Sequence, residues 1–189
     1  MKSLVEQLKE TATSLDKLIQ NLEIHKKVNQ SIELILDHLK KDLPLLICGN
    51  GGSASDSMHI AGELVGRFLK ERKALNVISL TADSAILTAW ANDYSYEDVF
   101  ARQVEAYGKR GGVLFAISTS GNSKNVIQAI EMAKKYNVKT IALTGEGGGK
   151  LSSLVDILLD VPSKHTPRIQ EMHIMLYHYI CEKIEELSA

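Results

Sequence analysis

The stretch LLICGNGGSAS, residues 45–55, sets an uninterrupted apolar run directly before a loop of glycine, asparagine and serine. An apolar run without alternation is typical of a strand that is buried on both faces of a parallel sheet. Four further runs of this kind follow, at residues 76–80, 113–117, 140–143 and 157–161. Together these runs predict five strands.

Helical patterns separate the predicted strands. They occupy residues near 54–70, near 85–107, 123–136 and 167–187. Strand alternating with helix predicts right-handed crossovers and a parallel sheet with helices on both sides. We therefore expect an α/β fold with a five-stranded parallel sheet. Since no repeat or low-complexity linker interrupts the chain, we expect one domain over residues 1–189.

The first 41 residues contain no glycine or proline and carry apolar residues at helical spacing. This pattern predicts a helical arm of one or two helices over residues 1–41, followed by an α/β core over residues 42–189. An amphipathic arm of this kind either packs on a partner subunit or covers the core of its own chain. The pattern alone favours neither alternative.

Charge and apolar patterning limit the class of protein. Lys and Arg total 22 against 23 Asp and Glu, whereas nucleic-acid-binding domains normally carry a basic surplus. The densest basic run, Lys70, Arg72 and Lys73, is interpreted as a solvated helix end. No apolar stretch reaches the roughly 18 residues of a membrane span, and the start lacks the apolar core of a signal peptide. Cys48 and Cys181 lie far apart in apolar runs, so we expect no disulfide framework and a cytoplasmic protein. The charge balance and the lack of a long apolar stretch predict that it binds neither nucleic acid nor membrane.

Two loops have the composition of phosphate-binding loops. The first, residues 49–55, follows the first predicted strand, and the second, STSGNS at residues 118–123, follows the third; each leads into a helix. Small residues let backbone amides approach an anion, the helix N-terminus adds positive potential, and hydroxyls add donors. Neither loop contains Lys or Arg, which favours a monophosphate over a metal-bound triphosphate. The loops therefore predict a phosphate-bearing ligand.

Two better-known nucleotide motifs fit less well. Gly49, Gly51 and Ala54 satisfy a loose dinucleotide fingerprint, with Asp83 as a candidate ribose ligand. A nicotinamide enzyme remains an alternative on this evidence, but it leaves the STSGNS loop unexplained. The run GEGGGK, residues 145–150, departs from a P-loop at both ends and is predicted to be a turn.

Candidate chemical groups lie on two predicted helices. His59 and Glu63 are four residues apart and hence on one helical face, where they suit a divalent ion, an acid–base couple or a plain surface pair. The last helix is apolar nearly all round, which predicts burial on several sides. It nevertheless carries Gln170 and His178, which are eight residues apart, or about 12 Å along a helix axis. That spacing does not by itself select them as ligands of one ion.

The chain also carries His173 and Tyr177 on the last helix and an Asn92-Asp93 pair after the second strand. Buried polar groups need partners, so the two helical residues are either satisfied within the core or part of a site. The residues alone favour a turn at Asn92-Asp93.

Five segments, taken in combination and order, resemble the phosphoheptose isomerases of the sugar isomerase (SIS) domain family. They are Cys48–Ser53, Met58–Leu64, Ala91–Asp93, Ile117–Ser123 and Arg168–His173. The resemblance covers essentially the whole chain, whereas the STSGNS loop alone marks only the broader SIS class.

The resemblance implies a flavodoxin-like core and a homotetramer with active sites at subunit interfaces. It implies isomerisation of D-sedoheptulose 7-phosphate to D-glycero-D-manno-heptose 7-phosphate, the first step of bacterial ADP-heptose and surface-glycan biosynthesis. It also implies one zinc ion per subunit.

Matching positions give each candidate residue a role. The resemblance places substrate contacts at Asn50, Gly51, Gly52, Ser53, Glu63, Asn92, Asp93 and Gln170, and phosphate contacts at Ser118, Thr119, Ser120 and Ser123. It places zinc ligands at His59, Glu63, Gln170 and His178, and an acid–base pair at Glu63 and His178.

A non-catalytic SIS-domain protein is the main alternative. The DnaA initiator-associating branch resembles this chain in its phosphate loops and in the run RIQEMH, residues 168–173. A sugar-phosphate sensor is a second binding protein of this kind. Glu63 and His178 favour the enzyme, since a binding protein does not need them.

Overall fold

Five parallel strands form the central sheet in the computed structural model, which describes residues 2–188. They are β1 (Leu45–Gly49), β2 (Val77–Ser79), β3 (Gly112–Ser118), β4 (Val138–Thr144) and β5 (Ile157–Asp160). The five predicted strands are therefore confirmed, with ends that shift by a few residues.

The strands are ordered β2-β1-β3-β4-β5, with parallel pairing throughout. This is the flavodoxin-like order, in which the chain changes direction across the sheet between β1 and β3. Ligands of such sheets bind outside the carboxyl ends of the strands at this switch point. The two predicted phosphate loops follow these two strands.

Seven α-helices surround the sheet in the described residues. They are α1 (Leu4–Gln20), α2 (Leu22–Leu39), α3 (Gly52–Val65), α4 (Ser84–Asp93), α5 (Val99–Tyr107), α6 (Lys124–Lys135) and α7 (Thr166–Ser188). Alternate residues of β1 point to opposite faces of the sheet. Leu45 and Ile47 join an apolar cluster with α2, α3 and α7, whereas Leu46 and Cys48 join one with α5 and α6. The α/β fold with helices on both sides is confirmed.

The N-terminal arm consists of two helices. Ser3 and Glu6 form a capping box at the start of α1, and the Asn21 side chain accepts a hydrogen bond from the Ile24 amide at the start of α2. The inner face of α2 belongs to the core of its own chain, whereas Leu4 and Leu8 of α1 are exposed. The arm thus covers the core with α2 and leaves apolar side chains of α1 exposed.

The single helical pattern expected near residues 85–107 is wrong in its continuity. The chain forms α4, a 3₁₀ turn over Tyr96–Asp98, and then α5. Ser95 has an extended backbone and accepts a hydrogen bond from the Glu97 amide, which begins the turn. Asn92 and Asp93 are the last two residues of α4, and the turn expected at this pair begins one residue later, at Tyr94.

The interpretation of Lys70, Arg72 and Lys73 as a solvated helix end is correct for the exposure of Lys70 and Lys73, but it is wrong for the helix and for Arg72. The helix predicted to run to about residue 70 ends at Val65, and residues 66–76 form neither helix nor strand. The Arg72 side chain is only 1% exposed. One cation of this basic run, Arg72, is therefore buried.

Burial of α7 on several sides is wrong for the single chain. Met172, Ile180 and Ile184 are buried, but Met175 and Tyr179 are 47% and 44% exposed. The helix α7 thus carries more apolar side chains than its own chain buries.

His173 makes stability depend on acid pH. It is fully buried, and its Nε2 lies 3.1 Å from the Thr144 carbonyl oxygen, to which it donates. Burial lowers the pKa of His173 from 6.5 to about 4. Between these values the unfolded chain binds a proton that the folded chain does not. The free energy of unfolding should therefore fall as pH drops through this window, by on the order of 3 kcal/mol from this residue.

Urea unfolding of the metal-free chain between pH 7 and pH 4 measures this dependence. His173→Gln keeps an amide donor for Thr144 and should give a flatter pH profile than the unchanged chain. Equal slopes for the two proteins would contradict the assignment.

Both cysteines are buried and free, which agrees with the expected absence of a disulfide framework. Within residues 2–188, no helix is both long and apolar enough to span a membrane.

Candidate active site

The first phosphate loop joins β1 to α3. Gly51 has a φ of 57°, a left-handed conformation that favours glycine, and α3 begins at the next residue. The unpaired amides of a first helical turn face the loop and attract anions. Gly52 lies so close to the Gln170 side chain that a Cβ at this position would collide with its Nε2. Glycine thus lets this loop approach α7.

A pair of amide side chains ties the two phosphate loops together. Nδ2 of Asn50 donates to Oδ1 of Asn125 at 2.8 Å, and Nδ2 of Asn125 donates to Oδ1 of Asn50 at 2.9 Å. The Tyr96 hydroxyl also donates to Asn50, at 3.1 Å. Asn125 is buried in the first turn of α6. The Asn50 side chain is therefore held in place by protein partners.

Removing this amide pair should weaken substrate binding. We expect Asn125→Ala to raise KM about 10-fold and to lower the free energy of unfolding by about 1–3 kcal/mol, because Asn50 loses two hydrogen bonds in a largely buried position. Steady-state kinetics and urea unfolding measure the two effects. Asn29→Ala, at an exposed position of α2, is the control. An unchanged KM would contradict this role.

The second phosphate loop joins β3 to α6. The hydroxyls of Ser118 and Ser123 lie 3.1 Å apart, and Ser123 precedes α6 without using its side chain as a cap. Gly121 has a φ of 63° and packs so tightly that a Cβ would collide with the Gly148 carbonyl oxygen. Thr119 accepts a hydrogen bond from the Gly145 amide through its carbonyl. The loop is thereby held against residues 145–148. The turn predicted for the GEGGGK run is confirmed there, whereas Gly149 and Lys150 begin a 3₁₀ helix, Gly149–Ser153.

A cavity of about 420 Å³ opens beside the two loops. It is lined by Asn50, Tyr96, Glu97, Ser123, Lys124 and Asn125. Lys124 and Glu97 form an exposed ion pair of 2.7 Å at this cavity. The cavity thus combines residues from both loops at the switch point of the sheet.

The structure brings His59, Glu63 and His178 together. Each offers one potential ligand atom, and these atoms lie within 4.8 Å of one another. Nε2 of His59 is 3.0 Å from Oε1 of Glu63. The rings of His59 and His178 meet edge to face with centroids 5.0 Å apart. Two helices, α3 and α7, supply this cluster.

Tyr177 and Asp56 form a hydrogen-bonded chain that ends on Nδ1 of His59, the ring nitrogen opposite Glu63. The Tyr177 hydroxyl is 3.3 Å from Oδ1 of Asp56, to which it donates, and 3.0 Å from Nδ1 of His59. Burial raises the pKa of Asp56, and the Tyr177 and His59 contacts oppose that shift. Burial, followed by the charge of Asp56, raises the pKa of Tyr177, so its hydroxyl keeps its proton. This pattern assigns the His59 proton to Nδ1 and leaves a lone pair on Nε2.

The His59, Glu63 and His178 cluster fits a divalent metal ion such as zinc. Its imidazole and carboxylate donors are of the type that zinc prefers. A lone pair on His59 Nε2 and a carboxylate oxygen of Glu63 face each other at 3.0 Å, an arrangement that needs a proton or a cation between them. A ligating histidine typically has its other ring nitrogen fixed by a hydrogen bond, as Tyr177 does here.

The remaining predicted residues lie elsewhere along the site. Gln170 lies at Gly52, near the start of α7, while His178 lies two turns further on beside His59. Asn92 donates to Asp93 at 2.9 Å, and both are exposed. Asp83, the candidate ribose ligand, accepts hydrogen bonds from two amides as the N-cap of α4.

Several residues that support this region were not predicted from the sequence to have a role in the site, and one of them, Arg72, was predicted to be solvated. These residues hold the predicted ones in place through contacts and belong to none of the motifs described above. They are Asn125, Asp56, Phe68, Arg72 and Glu185. One signal was available for Asp56, since it precedes His59 by three residues and therefore shares its helical face. The others depend on contacts between distant parts of the chain.

The chain is similar in sequence to a family of known proteins. A sequence model of the SIS domain family matches residues 8–145. The chain is 53% identical to the phosphoheptose isomerase of Helicobacter pylori strain P12 over 176 residues, which cover 93% of this chain and 91% of that protein. It is 43% identical to the phosphoheptose isomerase of Clostridium acetobutylicum over 187 residues, 98% and 95% of the two chains.

A solved structure agrees with these sequence relationships. The phosphoheptose isomerase of Neisseria gonorrhoeae has a TM-score of 0.90 to this chain at 41% identity, with 97% of each chain covered. The two phosphate loops, the histidine–carboxylate cluster and these relatives lead to one conclusion. The chain belongs to the SIS domain family and, within it, to the phosphoheptose isomerases.

Proposed function

We propose that this chain is an aldose–ketose isomerase that converts D-sedoheptulose 7-phosphate to D-glycero-D-manno-heptose 7-phosphate. The observation that carries the proposal is the cluster of His59, Glu63 and His178 within 4.8 Å, on helices that begin at or near the phosphate loops. Relatives that the chain resembles over nearly its whole length are phosphoheptose isomerases, which supports this activity.

Two proton-transfer groups serve this reaction. Isomerisation moves a proton between C1 and C2 while an enediolate oxygen carries negative charge, so it needs a base and an acid at neighbouring positions. We assign these tasks to Glu63 and His178, one to remove a proton and the other to return one. Both side chains are partly exposed, which gives a substrate access to them.

His59, Glu63, Gln170 and His178 are the proposed ligands of one zinc ion per subunit. When bound, zinc supplies Lewis-acid polarisation of the substrate carbonyl and stabilises negative charge on its oxygen. The cluster of three ligands supports this proposal through its donor types and spacing. Gln170 is included as a ligand because of the family resemblance. Its side chain contacts Gly52 of α3, the helix that also carries His59, the neighbour of His178.

The phosphate loops hold the far end of the substrate. We assign the phosphate to Ser118, Thr119, Ser120 and Ser123, and other substrate contacts to Asn50, Gly51, Gly52, Ser53, Asn92, Asp93 and Gln170. His59 is seven residues past Gly52, about 10 Å along α3. A sugar chain that spans such a distance, gripped at one end, presents its other end to the catalytic cluster in a fixed orientation.

We propose a cytoplasmic homotetramer that supplies heptose for bacterial surface glycans such as lipopolysaccharide. The apolar side chains left exposed on α1 and α7 support assembly, because such surface is normally covered by a partner. Leu4, Leu8, Met175 and Tyr179 are examples.

Proton NMR of the chain mixed with sedoheptulose 7-phosphate tests the activity. We expect anomeric signals of the aldose to appear without any added nicotinamide cofactor. If the sugar phosphate binds but is not converted, the chain is a binding protein and the proposal is wrong. A strict need for a dinucleotide would instead support the nicotinamide alternative.

A further inference from the structure

Glu185 on α7 holds a chain segment that has no regular structure, here named the 66–76 segment. The carboxylate is 1% exposed and accepts hydrogen bonds from three consecutive amides, those of Phe68, Leu69 and Lys70, at 2.9, 2.6 and 2.8 Å. Burial alone raises the pKa of Glu185, but these amides and Arg72 outweigh burial and hold it below its ordinary value. Glu185 is therefore a buried anion that is stabilised by three backbone amides.

Arg72, two residues after Lys70, also anchors the 66–76 segment. Its Nε lies 3.3 Å from Oε1 of Glu185, as an ion pair rather than a hydrogen bond. Its guanidinium also donates to the carbonyl oxygen of Glu63 at 2.7 Å and to that of Gly66 at 3.2 Å. Arg72 thus joins Glu185 to the end of α3 and to the backbone of Glu63 itself.

Phe68 connects this anchored segment to His178. Its ring stacks on the His178 imidazole with a centroid distance of 5.6 Å and an interplanar angle of 24°. Among residues 2–188, no hydrogen bond to a ring nitrogen of His178 is found, whereas Tyr177 fixes His59. The orientation of the His178 ring therefore depends on packing, and Phe68 supplies its stacked neighbour.

Glu185 lies seven residues after His178, two turns along α7 and on the same face. We propose that Glu185 and Arg72 are positioning residues for the isomerase reaction. They anchor the 66–76 segment so that Phe68 orients the His178 imidazole, while Arg72 fixes the backbone of Glu63. This inference rests on the proposed function, since it takes Glu63 and His178 as the reacting pair.

The test compares variants at both ends of this connection. Phe68→Leu keeps apolar volume but removes the ring, Phe68→Tyr restores a ring, and Glu185→Gln removes the buried charge. Leu69→Ala, an exposed position of the same segment, and Glu182→Gln, on α7, are matched controls. For each full-length protein we would measure kcat, KM, thermal unfolding, and zinc affinity by competition with a chromophoric chelator.

We expect Phe68→Leu to lower kcat and zinc affinity about 10-fold each, to leave KM within about 2-fold, and to keep the fold. Phe68→Tyr should restore both values. Glu185→Gln should lower them similarly and also lower the unfolding temperature, because a buried arginine loses its partner. The controls should match the unchanged chain.

Failure of this inference differs from failure of the proposed function. If the unchanged chain isomerises its substrate and Phe68→Leu matches it in kcat and zinc affinity, the positioning role is wrong and the proposed function stands. If the unchanged chain does not isomerise the substrate, the proposed function and this inference both fall. If Glu185→Gln does not fold, Phe68→Leu still decides.

Discussion

Glu63→Gln should leave the chain folded and assembled but lower kcat on sedoheptulose 7-phosphate by about 10²–10⁴-fold, the range that a positioned acid or base contributes. The amide has nearly the shape of the carboxylate, and its NH₂ group can donate to the Nε2 lone pair of His59, 3.0 Å away in the unchanged chain. No buried group loses its partner, so the loss reflects chemistry rather than unfolding. Steady-state rates from proton NMR measure the effect.

Circular dichroism and gel filtration should give the same fold and oligomeric state for Glu63→Gln as for the unchanged chain. Glu131→Gln, at an exposed position of α6, is the control for removal of one carboxylate. Turnover of Glu63→Gln within about 3-fold of the unchanged chain would remove Glu63 from the acid–base pair.

His178→Asn should weaken both chemistry and metal binding. We expect kcat to fall by about 10²–10⁴-fold and zinc affinity to fall by at least about 100-fold, since one residue is proposed for both tasks. A chelator-competition titration and steady-state kinetics measure the two quantities separately. His165→Asn, an exposed histidine just before α7, is the control.

The two readouts for His178→Asn separate the two roles. A loss of kcat with unchanged zinc affinity would keep His178 as a proton-transfer group and remove it from the ligand set. Unchanged values of both would contradict the assignment of His178 altogether.

The strands and phosphate loops were predictable because their signals are local. Apolar runs such as Leu45–Cys48 mark buried strands, and loops of small residues directly after them mark the ligand edge of a parallel sheet. His59 and Glu63 were predictable as neighbours because they are four residues apart in one helix. All of these signals lie within a few residues of one another.

The supporting contacts were not predictable because they join distant residues. Asn125 meets Asn50 across 75 positions, and Glu185 meets the Phe68 amide across 117. Arg72 stands in a run of charged residues that looks solvated, and only the fold shows its buried partner. His178 joined the ligand set by resemblance, since its spacing from Gln170 alone did not select it.

The most direct measurement is proton NMR of sedoheptulose 7-phosphate in D₂O with the metal-free chain, followed by addition of zinc. Our account predicts that the aldose appears after zinc is added and carries deuterium at C2. The Glu63 side chain is 21% exposed, so a proton that it holds exchanges with solvent during turnover. No aldose under either condition, or an aldose whose C2 hydrogen was moved from C1 without any exchange, would contradict proton transfer by these solvent-accessible groups.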